Sequence, residues 1–331
     1  MNAGCGNADW GGYDPIQLPL KGATTLPFTD FEVTVLRALG VARTYSSTDV
    51  MVGNAAGIFG LGWQYNWETT LTCSSNGASC TVDTGAGGKM KFAAQPSTVV
   101  GAGAFSGEAL VLYKRTEPAS LAAGGNNLMV RRPNGAFVLF QLDGSELYFV
   151  QPAACGSCMD ASFNGSRRLS RDVDAAGRGL QLDFTVSGKI LTVKDDLGNM
   201  LSLLPSAACP TLAGKLSYRA GTDGVETVYV TYEYDAPCQL LKKVVPSNVT
   251  AASGHSAQLR AYDYQSVPRA GLLTTVHNEF DDPVTVFGYD SSTGYATSLL
   301  DAQSSLAVTY PQPNQDKVVS SYGNDSSTVL T

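Results

Sequence analysis

The sequence predicts an all-β protein: successive antiparallel β-hairpins forming a twisted, spiralling β-sheet. Three observations carry this. Apolar and polar residues alternate with the period of a half-buried strand through one segment after another. Examples are FEVTVLRAL from Phe31, GEALVLYKR from Gly107 and VETVYVTYEYD from Val225. Almost every gap carries a turn signal: Pro133-Asn134-Gly135, Asp143-Gly144, Ser187-Gly188, Leu197-Gly198-Asn199, Thr222-Asp223-Gly224. Such pairs supply the positive φ that tight hairpins require. The composition agrees, with 35 glycines in 331 residues and abundant Ser and Thr. No window of a dozen residues has helical periodicity, and Glu117 to Gly125 amounts to a turn of helix at most.

Charged residues make up 15% of the chain and the net charge is -7. Lys114-Arg115, Arg131-Arg132, Arg167-Arg168 and Lys242-Lys243 are isolated doublets, read as solvated positions. Nucleic acid is therefore not an expected partner. No apolar run reaches the roughly 18 residues of a spanning helix. The first residues, MNAGCGNADWGGYDP, lack the apolar core of a signal peptide. The expectation is export by another route, or a piece of a longer reading frame.

Of seven cysteines, Cys73 and Cys80 bracket a Gly-containing turn and Cys209 and Cys238 flank another hairpin pair, so both pairs are candidate disulfides. Cys155 and Cys158, in Cys-Gly-Ser-Cys, are read as a structural disulfide or buried thiols. Metal or redox chemistry is the alternative, although no convincing helix follows the motif. Cys5 is left over. Several paired cysteines favour an oxidising, secreted or cell-surface setting.

Catalytic readings are weak. His255 lies in a loop-like stretch, and His277 stands near Glu279, Asp281 and Asp282 in what reads as a turn. TGAGGKM at 84 to 90 lacks the helix of a phosphate loop, and Gly57, Gly60 and Gly62 have the wrong order for a dinucleotide site. The reading is no enzyme, no cofactor and no metal. Trp63, Tyr65 and Trp67 alternate and would share one strand face. Exposed, they would form a sugar- or protein-docking platform; otherwise they pack the opening segment against the first hairpins. The sequons at Asn164, Asn248 and Asn324 matter only in a glycosylating host.

Segments starting at Gly188, Gly271 and Gly294 repeat a pattern of strand, polar turn and returning strand. Tyr234-Asp235 and Tyr289-Asp290 stand at strand ends before turns, and Tyr262-Asp263 occurs in AYDYQ. This resembles the YD repeat of the RHS and teneurin families. The opening adds a second likeness: Asp14-Pro15-Ile16, Gly22, Thr29-Asp30-Phe31, VARTYSS from Val41 and FGLGWQYNWETTL from Phe59 resemble, in order, the start of bacterial RHS proteins. Single YD units here are degenerate, and the family's terminal Asp-Pro-x-Gly core is missing.

The resemblance implies a β-ribbon coiled into part of a hollow shell, with an opening module at 1–72, a hairpin sheet at 73–185 and degenerate YD repeats at 186–331. In that reading Tyr234, Asp235, Tyr289, Asp290, Gly271 and Gly294 are structural. The Tyr ring covers a neighbouring turn with its hydroxyl in water, Asp binds turn N–H groups, and Gly294 supplies positive φ. The implied function is a non-enzymatic shell fragment that encloses or displays another polypeptide, as in RHS-type toxin delivery or at a bacterial cell surface. Its partners would be a cargo domain or further shell segments, with strand addition at free edges. The alternative is an adhesin-like module binding carbohydrate or protein through an aromatic-lined sheet.

Overall fold

The structure, a computed structural model, describes residues 25–35, 37–53, 57–84, 89–117, 128–150, 167–184, 191–247, 254–256, 259–266, 269–301, 305–307, 318–322 and 326–330. The readings placed on Cys5, Asp14 to Gly22, Cys155, Cys158, Asn164, Ser187-Gly188, Asn248 and Asn324 lie outside these residues.

The fold is all-β, and strand after strand pairs antiparallel with its sequence neighbour. The opening strands are β1 (Thr25–Thr34), β2 (Ala38–Ser46) and β3 (Trp63–Tyr65), with the short helix α1 (Ser47–Met51) between the last two. A meander follows: β4 (Thr70–Cys73), β5 (Ser79–Asp83), β6 (Lys89–Val100), β7 (Ala109–Glu117), β8 (Leu128–Arg131), β9 (Phe137–Phe140), β10 (Glu146–Val150) and β11 (Arg167–Val173). At β11 the sheet forks. Arg167 and Arg168 pair with Leu71 and Thr70 of β4, and Leu169 N–H donates to the Thr69 carbonyl at 3.2 Å. The other end of β11, Arg171 to Val173, pairs with β12 (Gly179–Phe184). Strands β4 to β11 thus close into a ring, and the chain leaves it as a ribbon. Closure is one way for right-twisted strands to remove exposed edges.

The ribbon continues through β13 (Leu191–Asp195), β14 (Met200–Pro205), β15 (Ala213–Arg219), β16 (Thr227–Tyr234) and β17 (Leu241–Pro246). Strand β18 (Gly254–Ser256) leaves it to pair with β1, so the opening sheet has the order β18-β1-β2-β3. The ribbon resumes with β19 (Arg260–Tyr264), which pairs directly with β17, then β20 (Leu273–His277), β21 (Pro283–Tyr289), β22 (Ala296–Asp301) and β23 (Ser305–Ala307). β24 (Val318–Tyr322) and β25 (Ser326–Leu330) form a separate pair.

Local chemistry sets the hairpins. In 174–178, 195–199 and 278–282 the first residue's N–H donates to the fifth residue's carbonyl, and the fourth residue's N–H returns to the first carbonyl. Asp174, Asp195 and Asn278 also accept side-chain hydrogen bonds from the third and fifth N–H groups. That satisfies donors the turn would otherwise leave free. The fourth residue has positive φ: Gly177, Gly198 and, in the third turn, Asp281. The turn expected at Thr222-Asp223-Gly224 lies between β15 and β16, and its positive φ falls on Gly221. Gly224 is needed for room instead: a Cβ there would lie 2.0 Å from the Ala220 carbonyl oxygen.

The ring and ribbon share one apolar core with the opening sheet, running from Leu26 and Phe31 through Phe92, Phe137 and Leu180 to Val276 and Leu299. A second cluster, Leu110, Val130 and Val138, lies on the opposite face of β7 to β9, with Phe105 packed against it. Two disulfides staple the sheet: Cys73–Cys80 across the β4–β5 hairpin and Cys209–Cys238, whose Cα atoms lie 5.6 Å apart. Closing a loop of 29 residues removes about 3–4 kcal/mol of unfolded-chain entropy in the loop model.

Candidate functional site

The most heavily built polar site lies where the opening sheet meets the ribbon. Strand β2 buries Leu39, Val41, Arg43 and Tyr45 on alternate positions, so Arg43 occupies a place that the pattern reserves for an apolar residue. Its partner arrives through a bulge. Thr29 pairs with Ala42 and Phe31 with Val41, so Asp30 is an extra residue on β1. A bulge re-aims a side chain, and Asp30 and Phe31 are both buried. Asp30 accepts hydrogen bonds from Arg43 Nε and, at 2.8 Å, from Arg43 Nη2. It accepts another from the Tyr232 hydroxyl at 2.8 Å. Arg43 Nη2 also donates to the Tyr262 hydroxyl at 3.2 Å.

Aromatic rings surround the guanidinium. Trp63 lies 4.5 Å from its carbon, Phe59 5.5 Å, Tyr232 5.7 Å, and Phe28 and Tyr262 5.9 Å. Ring quadrupoles attract a desolvated cation, which partly offsets the Nη1 group that has no hydrogen-bond partner. Burial disfavours the charged guanidinium, but the Asp30 carboxylate and the neighbouring hydroxyls outweigh it, and the Arg43 pKa stands well above the usual value.

A line of tyrosines extends this junction along the ribbon. Tyr234 donates to the Ala213 carbonyl at 2.7 Å, Tyr264 to Leu241 at 2.7 Å and Tyr289 to Leu273 at 2.8 Å. Each acceptor is the first residue of a strand, so each tyrosine ties its hairpin to the one before. Beside each tyrosine the returning strand carries one extra residue: Lys242, Thr274 and Thr297. This corrects two expectations. The hydroxyls are bound to carbonyls and not to water. In AYDYQ the tyrosine that makes this tie is Tyr264, followed by Gln265, and not Tyr262 before Asp263. Asp235 Oδ1 accepts from the Gln239 and Leu240 N–H groups at 2.8 Å. Asp290 accepts from Ser292 and Thr293, whose hydroxyl and N–H bonds hold its pKa down to about 2. Gly271 and Gly294 have φ of 95° and 76°.

Trp63, Tyr65 and Trp67 are buried, with 1%, 0% and 7% of their surface exposed. They face inward and present no open platform. Trp63 Nε1 donates to the Tyr264 hydroxyl at 2.9 Å, and Trp67 Nε1 to the Gly40 carbonyl at 2.8 Å. Near Tyr65, Glu68 Oε2 and the Tyr65 hydroxyl are buried without hydrogen-bond partners. Burial pushes the Glu68 carboxyl up to about 7, against the opposing Arg168 charge.

His277 stands at the ribbon surface, with Nε2 2.8 Å from Asp263 and Nδ1 3.1 Å from the Asp281 carbonyl. Its expected neighbour Asp281 is in place, but Asp263 comes from the adjacent strand. Burial opposes its charge, yet the Asp281 carbonyl and Asp263 carboxylate raise its pKa. This is a surface ion pair, and among the described residues no group of three or more His, Cys, Asp or Glu forms a metal cage. No helix among the described residues is long and apolar enough to cross a membrane.

Comparison with known proteins bears on the opening segment first. Residues 13–92 match the family described as "Domain of unknown function (DUF6531)". That span holds Asp30, Arg43, Trp63 and Glu68. Among solved structures, a TcdB2-TccC3 crystal structure is 12% identical over 88% of this chain, with a TM-score of 0.39, and the chain covers 16% of it. The Photorhabdus luminescens Tc holotoxin pore is 12% identical over 81%, with a TM-score of 0.43, and is likewise covered to 16%. The N-terminal domain of the effector SpvB from Salmonella typhimurium is 13% identical over 85% of the chain and covered to 99%, with a TM-score of 0.33. No curated protein matches the chain.

Proposed function

We propose that this chain is a non-enzymatic wall segment of a secreted or surface β-shell, which encloses or displays another polypeptide. The observation that supports it best is the unbroken pairing from β4 to β23, a sheet closed at β4–β11 and braced by the opening sheet through the bonds of Asp30 to Tyr232 and of Arg43 to Tyr262. Such a sheet is stiff, since its hairpins are tied by tyrosine hydroxyls and two disulfides. Its polar centre is fully buried among rings and open to no substrate. The disulfides fit an oxidising compartment.

The reading is tested by expressing the chain together with its flanking coding sequence and subjecting the product to limited proteolysis. A wall shields a flanking segment that is digested quickly when expressed alone. Equal digestion rates in the two settings would overturn the proposal.

A further inference from the structure

One end of the closed ring brings Arg131, Arg132 and Arg167 to a single groove. Met129, Phe137 and Leu169 face the main core, so Arg131 and Arg167, two residues along from Met129 and Leu169, lie on that same inner face. Side-chain contacts agree. The Arg167 guanidinium stacks 4.7 Å from the Phe137 ring, and Phe137 lies 5.6 Å from Tyr113. The Tyr113 hydroxyl donates to the Gly77 carbonyl at 2.8 Å, which draws the disulfide-linked β4–β5 turn over the ring's end. A Cβ on Gly77 would lie 3.5 Å from Arg131 Nη1, so a guanidinium borders that turn. Ala109, Val111, the turn at 132–135 with Arg132, and Arg131 and Arg167 line a groove of about 330 Å³.

Among the described residues only one of the arginines there has an acidic partner. Arg132, the next residue, is held by Glu108 through two hydrogen bonds. Arg131 and Arg167 have no ion pair among the described residues. Arg167 Nε is buried with no hydrogen-bond partner. Burial, and then the nearby Arg131 charge, holds the Arg167 pKa below the ordinary guanidinium value. In a chain of net charge -7, two like charges facing one small groove are costly unless an anion joins them. Guanidiniums match the planar or tetrahedral oxygens of carboxylate, sulfate and phosphate.

We infer that Arg131 and Arg167 form an oxyanion-binding site at the mouth of the ring. The bound group is either a free inorganic anion or a carboxylate on a polypeptide that docks at the ring's mouth. The shared chemistry is two or more oxygens bearing negative charge, bridged between the two forks. The site does not depend on the shell reading.

The experiment is titration calorimetry at low ionic strength with inorganic phosphate, with sulfate and with a short Asp/Glu peptide. It compares the wild-type chain, R131Q/R167Q and the control K215Q/K243Q, which removes the same charge elsewhere. Saturable binding that weakens at least about tenfold in R131Q/R167Q and survives in the control supports the site. The probe that binds identifies the source of the anion. R131K/R167K, which keeps the charge but loses the fork, replaces the glutamine variant if that fails to fold, and is expected to weaken binding too. No saturable binding of any probe, or equal loss in the control, would overturn the inference.

Discussion

At the scale of single residues, the Asp30–Arg43 pair decides how the opening sheet sits. A buried ion pair is a weak source of net stability, because desolvating both charges consumes most of their attraction. Removing one partner is far worse, since the other is stranded. Arg43→Met is expected to destabilise the chain by about 3–5 kcal/mol in urea titrations. Asp30→Leu combined with Arg43→Met is expected to cost less than Arg43→Met alone; additive losses would show that the pair is not coupled. Glu68 gives a signed pH effect. Its carboxyl titrates at about 7 in the fold against 4.5 as the ordinary value. The folded state therefore holds the extra proton between those values, and its stability falls as pH rises from about 4.5 to 7, then levels. Glu68→Gln is expected to abolish that slope and, with allowance for the residue's partial exposure, to gain on the order of 2 kcal/mol at pH 8. Matching slopes in wild type and variant would refute it.

At the scale of elements, the tyrosine ties divide by what else they hold. The Tyr289 hydroxyl donates to the Leu273 carbonyl, so Tyr289→Phe is expected to cost about 1 kcal/mol. Tyr264 serves Leu241 and also receives Trp63 Nε1, so Tyr264→Phe strands two buried groups and is expected to cost about 2–3 kcal/mol. Denaturation midpoints of the two variants test the order. This scale also shows what could be read in advance. Turns such as Asp195 to Asn199 were legible because their chemistry is contained in five adjacent residues. The tie made by Tyr264 was not, because the extra residue Thr274 lies on the partner strand and leaves no trace beside Tyr264. Nor was the Arg43 site, whose partners Tyr232 and Tyr262 are about two hundred residues away. Its one local signal was a charged residue in the apolar file Leu39, Val41, Tyr45, within the very segments that resemble the RHS opening.

At the scale of the molecule, strand alternation fixed the fold class, but ring closure at β4–β11 and the loan of β18 to the opening sheet are long-range pairings that no local pattern encodes. The opening sheet and the ribbon are expected to unfold as one cooperative unit, joined at Arg43. Native-state hydrogen exchange read by mass spectrometry on wild type and Arg43→Met tests this most directly. The variant is expected to lose protection together in β1, β2 and the facing strands β16 to β20. Loss confined to β1 and β2, with the ribbon's protection unchanged, would contradict it.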